Sequence, residues 1–241
     1  MERLYEQVER NIDRLVANGV NWSACATQKQ LDRARCGLLE MSFGQDGTIP
    51  AGWLGDLRGK HVLCLAGGGG HQGPLMACAG ASVTVLDLSE RMLDKDREIA
   101  AREGLDMRIE HGNMCDLSRF ADASFDLVFN PPSLFYVPDV APVFREVHRV
   151  LKPDGVFIMI SMSPIAYVCD WDRDLQCYKA VNSMPYRSID HAEQGDWVEF
   201  GHTMEAYLGG LTVAGFLISG YIENQTEDIT ELYFAVRSVK R

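Results

Sequence analysis

Apolar positions recur at helical spacing between residues 2 and 18, where Leu4, Val8, Ile12 and Leu15 share one face of a predicted amphipathic helix. A second helix is predicted over about 27–40, and Gly44, Gly47, Pro50 and Gly52 then mark a loop. From Lys60 the period shortens. The apolar runs HVLCLA, SVTVLD, MRIEHG, FDLVFN and GVFIMISM alternate with the helical segments QGPLMACAG, SERMLDKDREIAAREG and VAPVFREVHRVL. Strand and helix in alternation predict parallel strands with right-handed crossovers, hence a doubly wound α/β sheet with helices on both faces. Residues 163–201 break the rhythm, with Tyr167, Trp171, Tyr178, Tyr186 and Trp197 standing among acidic residues without a clear period. This stretch reads as an insertion over the top of the sheet. A helix near 203–214 and two successive strands, FLISGYIE and ELYFAVRSV, predict an antiparallel finish. The expected division is an N-terminal helical lid at 1–55 and an α/β domain at 56–241 that carries the insertion.

The run VLCLAGGGGHQGP, residues 62–74, holds the first candidate chemistry. An apolar strand enters Gly67, Gly68, Gly69 and Gly70 and leaves into a helix. Glycine allows a close approach that a Cβ blocks, and ligands of open parallel sheets bind beyond the carboxyl ends of the strands. The next strand ends in Asp87, about twenty residues on, where an acid accepts hydrogen bonds from ribose hydroxyls. Asp87 also suits the start of the helix after Ser89. The third strand delivers Asn113 and Met114 to the same edge, and the fourth delivers Asn130 and Pro131. Four successive strand ends therefore point to an adenosine-containing ligand. A nicotinamide dinucleotide prefers the spacing GxGxxG, whereas these glycines run together.

The succession VLCLAGGGGHQG, VTVLDLSERML, GNMCDLSRFADASFDLVF and FREVHRVLKPDGVFIM resembles class I S-adenosylmethionine-dependent methyltransferases. RVLKPDG is typical of their small-molecule branch, and the likeness is firm over about 60–160. The N-terminal region and WVEFGHTMEAYLGGL are similar to a bacterial and archaeal subgroup of that branch. The resemblance implies a Rossmann-like, seven-stranded, mostly parallel sheet with an antiparallel last strand, and S-adenosyl-L-methionine as cofactor. It further implies that Ala66, Gly67, Gly68 and Gly70 carry the methionine portion and that Asp87 holds the ribose. Leu88, Met92, Asn113 and Met114 would meet the adenine, while Asn130 and Pro131 lie near the sulfonium and amino-acid end. Two residues depart from the family pattern. Cys64 stands where many members have an acid, and Ala66 replaces the first glycine; His71 and Gln72 are candidates for compensating polar contacts.

Methyl transfer gains much of its rate from positioning, and a base helps only where the acceptor must lose a proton. NPPSLFY, residues 130–136, partly matches the NPP-aromatic motif of methyltransferases acting on amines of protein or nucleic acid. Ser133 stands at the aromatic position there, with Phe135 and Tyr136 following. Tyr136 and His202 are the candidates for catalysis, whereas His148 falls in a helix facing the sheet and reads as structural. Trp22 is a candidate lid contact. The six histidines lack paired metal-ligand spacing, so no metal is expected.

Composition narrows the partners. A formal net charge of −11 without a basic stretch disfavours nucleic acid, whose binding needs clustered Lys and Arg. Seven cysteines at 25, 36, 64, 78, 115, 169 and 177 form no CxxC pair and suit a reducing compartment. The charged, amphipathic start MERLYEQVERNIDRL differs from a signal peptide, and no apolar run reaches membrane-spanning length. The expectation is a cytoplasmic methyltransferase, monomer or homodimer, acting on a small-molecule acceptor. The alternatives are an amine methyltransferase of protein or nucleic acid using Asn130, Pro131 and Pro132, or a non-catalytic S-adenosylmethionine-binding protein.

Overall fold

Seven strands form one sheet: β1 (His61–Leu65), β2 (Ser82–Asp87), β3 (Met107–His111), β4 (Phe125–Asn130), β5 (Leu151–Met162), β6 (Phe216–Glu223) and β7 (Tyr233–Lys240). Their order across the sheet is β6-β7-β5-β4-β1-β2-β3. β1 to β5 pair in parallel, and β7 lies antiparallel between β5 and β6. The switch in direction of winding therefore falls between β1 and β4, so a crevice opens beyond Leu65 and Asn130. The computed structural model describes residues 2–44, 46–190 and 197–241; residues 191–196 of the expected insertion lie outside this set.

The helices are α1 (Glu2–Ala17), α2 (Gln28–Arg35), α3 (Gln72–Cys78), α4 (Glu90–Glu103) and α5 (Ala141–Val150). α2 is shorter than the predicted 27–40. Thr27 and Gln30 close a capping box at its start, and Gly37 turns the chain at φ +78° soon after its end. α4 begins at Ser89, whose hydroxyl accepts from the Met92 amide at 3.1 Å, and ends at Gly104 in the left-handed conformation. In RVLKPDG the helix stops at Val150, and the next residues bulge from β5 where its register against β4 shifts.

Each sheet face has its own core. α5 buries Val143, Phe144 and Val147 with Phe157, Tyr207 and Phe234 on one face. On the other, α3 and α4 bury Leu75, Met76 and Leu93 with Val62, Val85 and Ile158. The second core also takes in Ala26, Leu31, Ala34, Met41, Phe43 and Ile49, so the chain from residue 26 to 49 packs directly beneath the sheet. α1 instead lies outside, across the carboxyl end of the strands. Its Val8 and Ile12 pack against Met92, Val198 and Phe200.

The expected insertion holds a helical turn at Ile165–Val168 and a hairpin of Cys169–Asp172 with Cys177–Ala180. A short pairing of Tyr186–Arg187 with Phe200–Gly201 follows. The helix predicted near 203–214 is a π-helical turn, Glu205–Gly209, running into an α-turn, Gly210–Val213.

Candidate active site

The turn after β1 is built on close approach. A Cβ on Gly68 would lie 2.9 Å from Met92 Cβ and 3.0 Å from Asp87 Oδ2, and Gly70 adopts φ +70°. Ala66, in the position the family gives to glycine, also sits at φ +50°, which costs about 1–2 kcal/mol for a residue with a Cβ. Two carboxylates hold the turn. The Gly68 amide donates to Asp87 Oδ2 at 2.9 Å, and the Gly69 amide donates to Asp96 Oδ2 at 2.8 Å.

Asp87 stands at the end of β2, as its place in the sequence indicates. Its second oxygen accepts from the Ser89 amide at 2.9 Å, and burial raises its pKa even though these amides favour the charge. Each oxygen retains a lone pair for a ribose hydroxyl. Asp96, on α4, is a further acid that sequence reasoning did not single out. It is fully buried, and desolvation pushes its pKa up to about 7 against the pull of the Gly69 and Gly70 amides. Its Oδ1 has no partner. Cys64, at the position of the expected acid, is wholly buried and lies within reach of the Asp96 charge. Asp96 thus reaches the glycine turn from the helix side while a thiol occupies the strand side.

The remaining predicted residues gather at the same edge. Leu88 and Met92 belong to the apolar group under α1, with Tyr136 and Trp197. Asn113 Oδ1 accepts from the Cys115 amide at 2.9 Å, shaping the turn that leads through the buried Met114. Asn130 Nδ2 donates to Leu65 O at 2.7 Å and to Ser133 Oγ at 2.8 Å. That leaves its buried Oδ1 without a partner, an acceptor suited to an ammonium group. Pro131 is buried, and its carbonyl accepts from the Ser133 hydroxyl at 3.0 Å. His71 precedes α3 without a side-chain cap bond; burial lowers the pKa of its ring, which lies 3.5 Å from the Gln30 side-chain amide, and the partly buried Gln72 is next in the helix.

The two catalytic candidates part company. Tyr136 is partly buried between the group under α1 and a second cluster of Phe135, Tyr167 and Tyr186. Its ring meets Trp197 edge-on at 6.1 Å. His202 is 6% exposed, and its Nε2 lies 2.9 Å from Val137 O and 3.2 Å from Leu134 O. With two carbonyls facing that nitrogen, it is the donor, and the ring straps down the turn that carries Tyr136. His148 packs against Gly215 and Phe216. Trp22 is 52% exposed.

Two clefts of about 340 and 550 Å³ lie at the opposite, amino-terminal ends of the strands, beside Lys152 and Arg237 and beside His61 and Arg108. They do not touch the glycine turn. Among the described residues no His, Cys, Asp and Glu cluster could hold a metal, and no helix is long and apolar enough to cross a membrane.

A doubly wound sheet, a glycine turn at its switch point and an acid and two amides at the next three strand ends define a site for an adenosine-containing cofactor. Residues 63–159 match a family described as a methyltransferase domain. The uncharacterized methyltransferase YbaJ of Bacillus subtilis strain 168 is 36% identical over 242 residues, covering 95% of both chains. The chain belongs to the S-adenosylmethionine-dependent methyltransferases. A ubiquinone biosynthesis O-methyltransferase of Pseudomonas syringae pv. tomato is 34% identical over 47% of this chain, which spans 50% of that protein. The crystal structure of an S-adenosylmethionine dependent methyltransferase from Mesorhizobium loti superposes with a TM-score of 0.66 at 24% identity, covering 78% of this chain and 94% of that one.

The residues present fit this cofactor. The missing Cβ at Gly68 lets the turn pack directly on Asp87 and Met92, holding Asp87 beside it, and the orphaned Asn130 Oδ1 is a buried acceptor at the next strand end. When bound, S-adenosylmethionine supplies a methyl group activated by a positively charged sulfur.

Proposed function

We propose that the protein transfers a methyl group from S-adenosylmethionine to a small-molecule acceptor. Asp87 holds the ribose, the turn from Ala66 to Gly70 lies along the methionine portion, and Asn130 takes the amino-acid end. Leu88 and Met92 flank the adenine, with Asn113 and Met114 on its other side. The observation that carries the acceptor class is the enclosure of this edge: α1 covers Leu88 and Met92, while Val198 and Phe200 close in from the insertion. A folded protein or a duplex would have to displace both. The net charge of −11 also opposes a polyanion, and a relative matched over half its length is named a ubiquinone biosynthesis O-methyltransferase.

α1 acts as a lid in this reading. It is pinned to the strand ends by Asp13 on the Ser89 hydroxyl, Glu9 beside His111 at 3.2 Å and Tyr5 beside Cys115 at 3.5 Å. Ile12→Asp places a charge in the apolar group over Met92 and is expected to weaken S-adenosylhomocysteine binding about tenfold, roughly 1.4 kcal/mol. Stopped-flow dissociation should show the change in the off-rate, and an unaltered off-rate would remove the lid.

Titration calorimetry with S-adenosylmethionine and S-adenosylhomocysteine tests the reading itself, and Asp87→Ala should lower both affinities by at least tenfold. Unchanged affinity in that variant would refute the ribose assignment. Binding without transfer to a broad panel of small acceptors would favour a non-catalytic binding protein.

A further inference from the structure

Beyond the lid, a group of polar side chains over the carboxyl end of β5 has no part in cofactor binding. Glu199 is its centre. Its backbone is fixed by Ser188, whose hydroxyl accepts from the Glu199 amide at 2.7 Å and whose amide donates to the Glu199 carbonyl at 2.9 Å. Val198 and Phe200 turn toward the lid. Alternation along an extended run therefore sends Glu199 to the same side as Gly201. That side is aromatic, since a Cβ on Gly201 would meet the Tyr167 ring at 2.8 Å. Tyr167 stacks on Tyr186 at 5.3 Å between ring centres, and its hydroxyl is buried with no partner. The indole of Trp197 reaches the Glu199 carboxylate. Tyr233, beginning β7, pairs with Met162 at the end of β5 and completes the group.

The sign of the local charge selects the ligand. The carboxylates acting on the hydroxyls of Tyr136, Tyr167 and Tyr233 are Glu199, Asp87 and Glu231. Arg187, between Tyr186 and Ser188, pairs with Phe200 and is exposed, so it lies on the side of the strand opposite to that of Gly201 and Tyr186. Aromatic faces attract a cation, and a carboxylate with little water around it holds one more strongly. An anionic acceptor would find tyrosine hydroxyls to donate to it but would face the Glu199 carboxylate in place of a counter-charge.

We propose that this group is the acceptor site, that it takes a small amine carried on a flat or apolar body, and that Glu199 holds the ammonium and accepts its proton. The proposal rests on the methyltransferase reading above. In the reaction the ammonium gives one proton to the Glu199 carboxylate. The freed nitrogen lone pair forms the new N–C bond as the C–S bond to the methyl breaks, and the positive charge of the sulfur ends on nitrogen. Burial pushes the Glu199 carboxyl up to about 7, near the value a base at neutral pH requires. The groups facing it are Tyr136, Tyr167, Tyr233 and Trp197, with Glu231 behind Tyr233. The tyrosines are held protonated, Tyr233 up to about 12.

The test uses the intact chain saturated with S-adenosylhomocysteine and three probes of one shape: benzylamine, benzyl alcohol and benzoate. Calorimetry at pH 7.5 should show benzylamine binding at least tenfold tighter than benzyl alcohol, with benzoate weakest. Benzylamine affinity should rise through pH 7 as Glu199 ionises. Glu199→Gln should erase that rise and bring the amine within about twofold of the alcohol, at unchanged cofactor affinity and with a Tm no lower than that of the wild type. A preference for alcohol or benzoate, equal binding, or no binding of any probe overturns the amine assignment and leaves the methyltransferase reading standing. Loss of S-adenosylhomocysteine binding by the wild-type chain strikes that reading instead. Should Glu199→Gln not fold, the order of the three probes on the wild type decides.

Discussion

Gly68→Ala is expected to abolish calorimetrically measurable S-adenosylhomocysteine binding, a loss of at least a hundredfold or roughly 3 kcal/mol. The new Cβ would stand 2.9 Å from Met92 Cβ, 3.0 Å from Asp87 Oδ2 and 3.1 Å from Asp87 Cβ. Two of those atoms are the first carbons of their side chains, so neither can swing aside without its backbone. Either the turn lifts, breaking the Gly68 amide from Asp87, or Asp87 is pushed from its seat at the end of β2. Both moves spoil the ribose site, and overpacking of this kind also costs about 1–3 kcal/mol of stability. Gly104→Ala is the control. Gly104 has φ +65° with nothing within 4 Å of an added Cβ, so that variant should lose about 1 kcal/mol in Tm measurements and keep its affinity. Retained binding in Gly68→Ala would mean that the cofactor does not use this turn.

Asp96→Asn is expected to raise stability above pH 7 and to leave it nearly unchanged near pH 4. In the folded chain Asp96 titrates at about 7, against an ordinary value of 3.8. Between these values the native state binds a proton that the unfolded state has released, so stability falls as pH rises through this window. Three units correspond to a ceiling of about 4 kcal/mol. Asparagine mimics the protonated acid and can still accept from the Gly69 amide, so it removes the penalty and keeps the bond. The expected gain at pH 8 is roughly 2–4 kcal/mol, about 5–10 °C in Tm. Glu199 titrates in the same range and contributes a slope of the same sign, but it is present in both chains and cancels in their difference. A Tm difference that does not vary between pH 4 and pH 8 would show Asp96 to be unperturbed in the native state.

Much of this architecture is legible along the chain because its signals are local. The strand–helix alternation from Lys60 to Met162, the glycines, and Asp87, Asn113 and Asn130 at strand ends each depend on a few neighbouring residues. Asp96 is hidden in the sequence because it sits in DKDRE, a run that looks like a solvated face. Helical spacing nevertheless places it with Met92 and Ile99, all three buried. Its role depends on a turn twenty-seven residues away in sequence, joined to it through the Gly69 amide. Glu199 lies in WVEF, where neither period nor motif distinguishes it, and only pairing with Ser188 shows which way it faces. His202 stands out in the sequence by its place after the insertion, yet the carbonyls of Leu134 and Val137 that hold it belong to a different loop.

The sheet order also has a bearing on assembly. β6 is made before β7, yet among the described residues its one neighbour in the sheet is β7, which wedges between it and β5. β6 therefore has no template on which to dock until the strand that follows it arrives. During synthesis the cofactor half of the molecule, from β1 to β5, can close first, while Phe216 and Phe234 wait for one another. A nascent chain halted after residue 223 would be expected to display β6 as a loose, aggregation-prone ribbon beside an otherwise formed cofactor cleft.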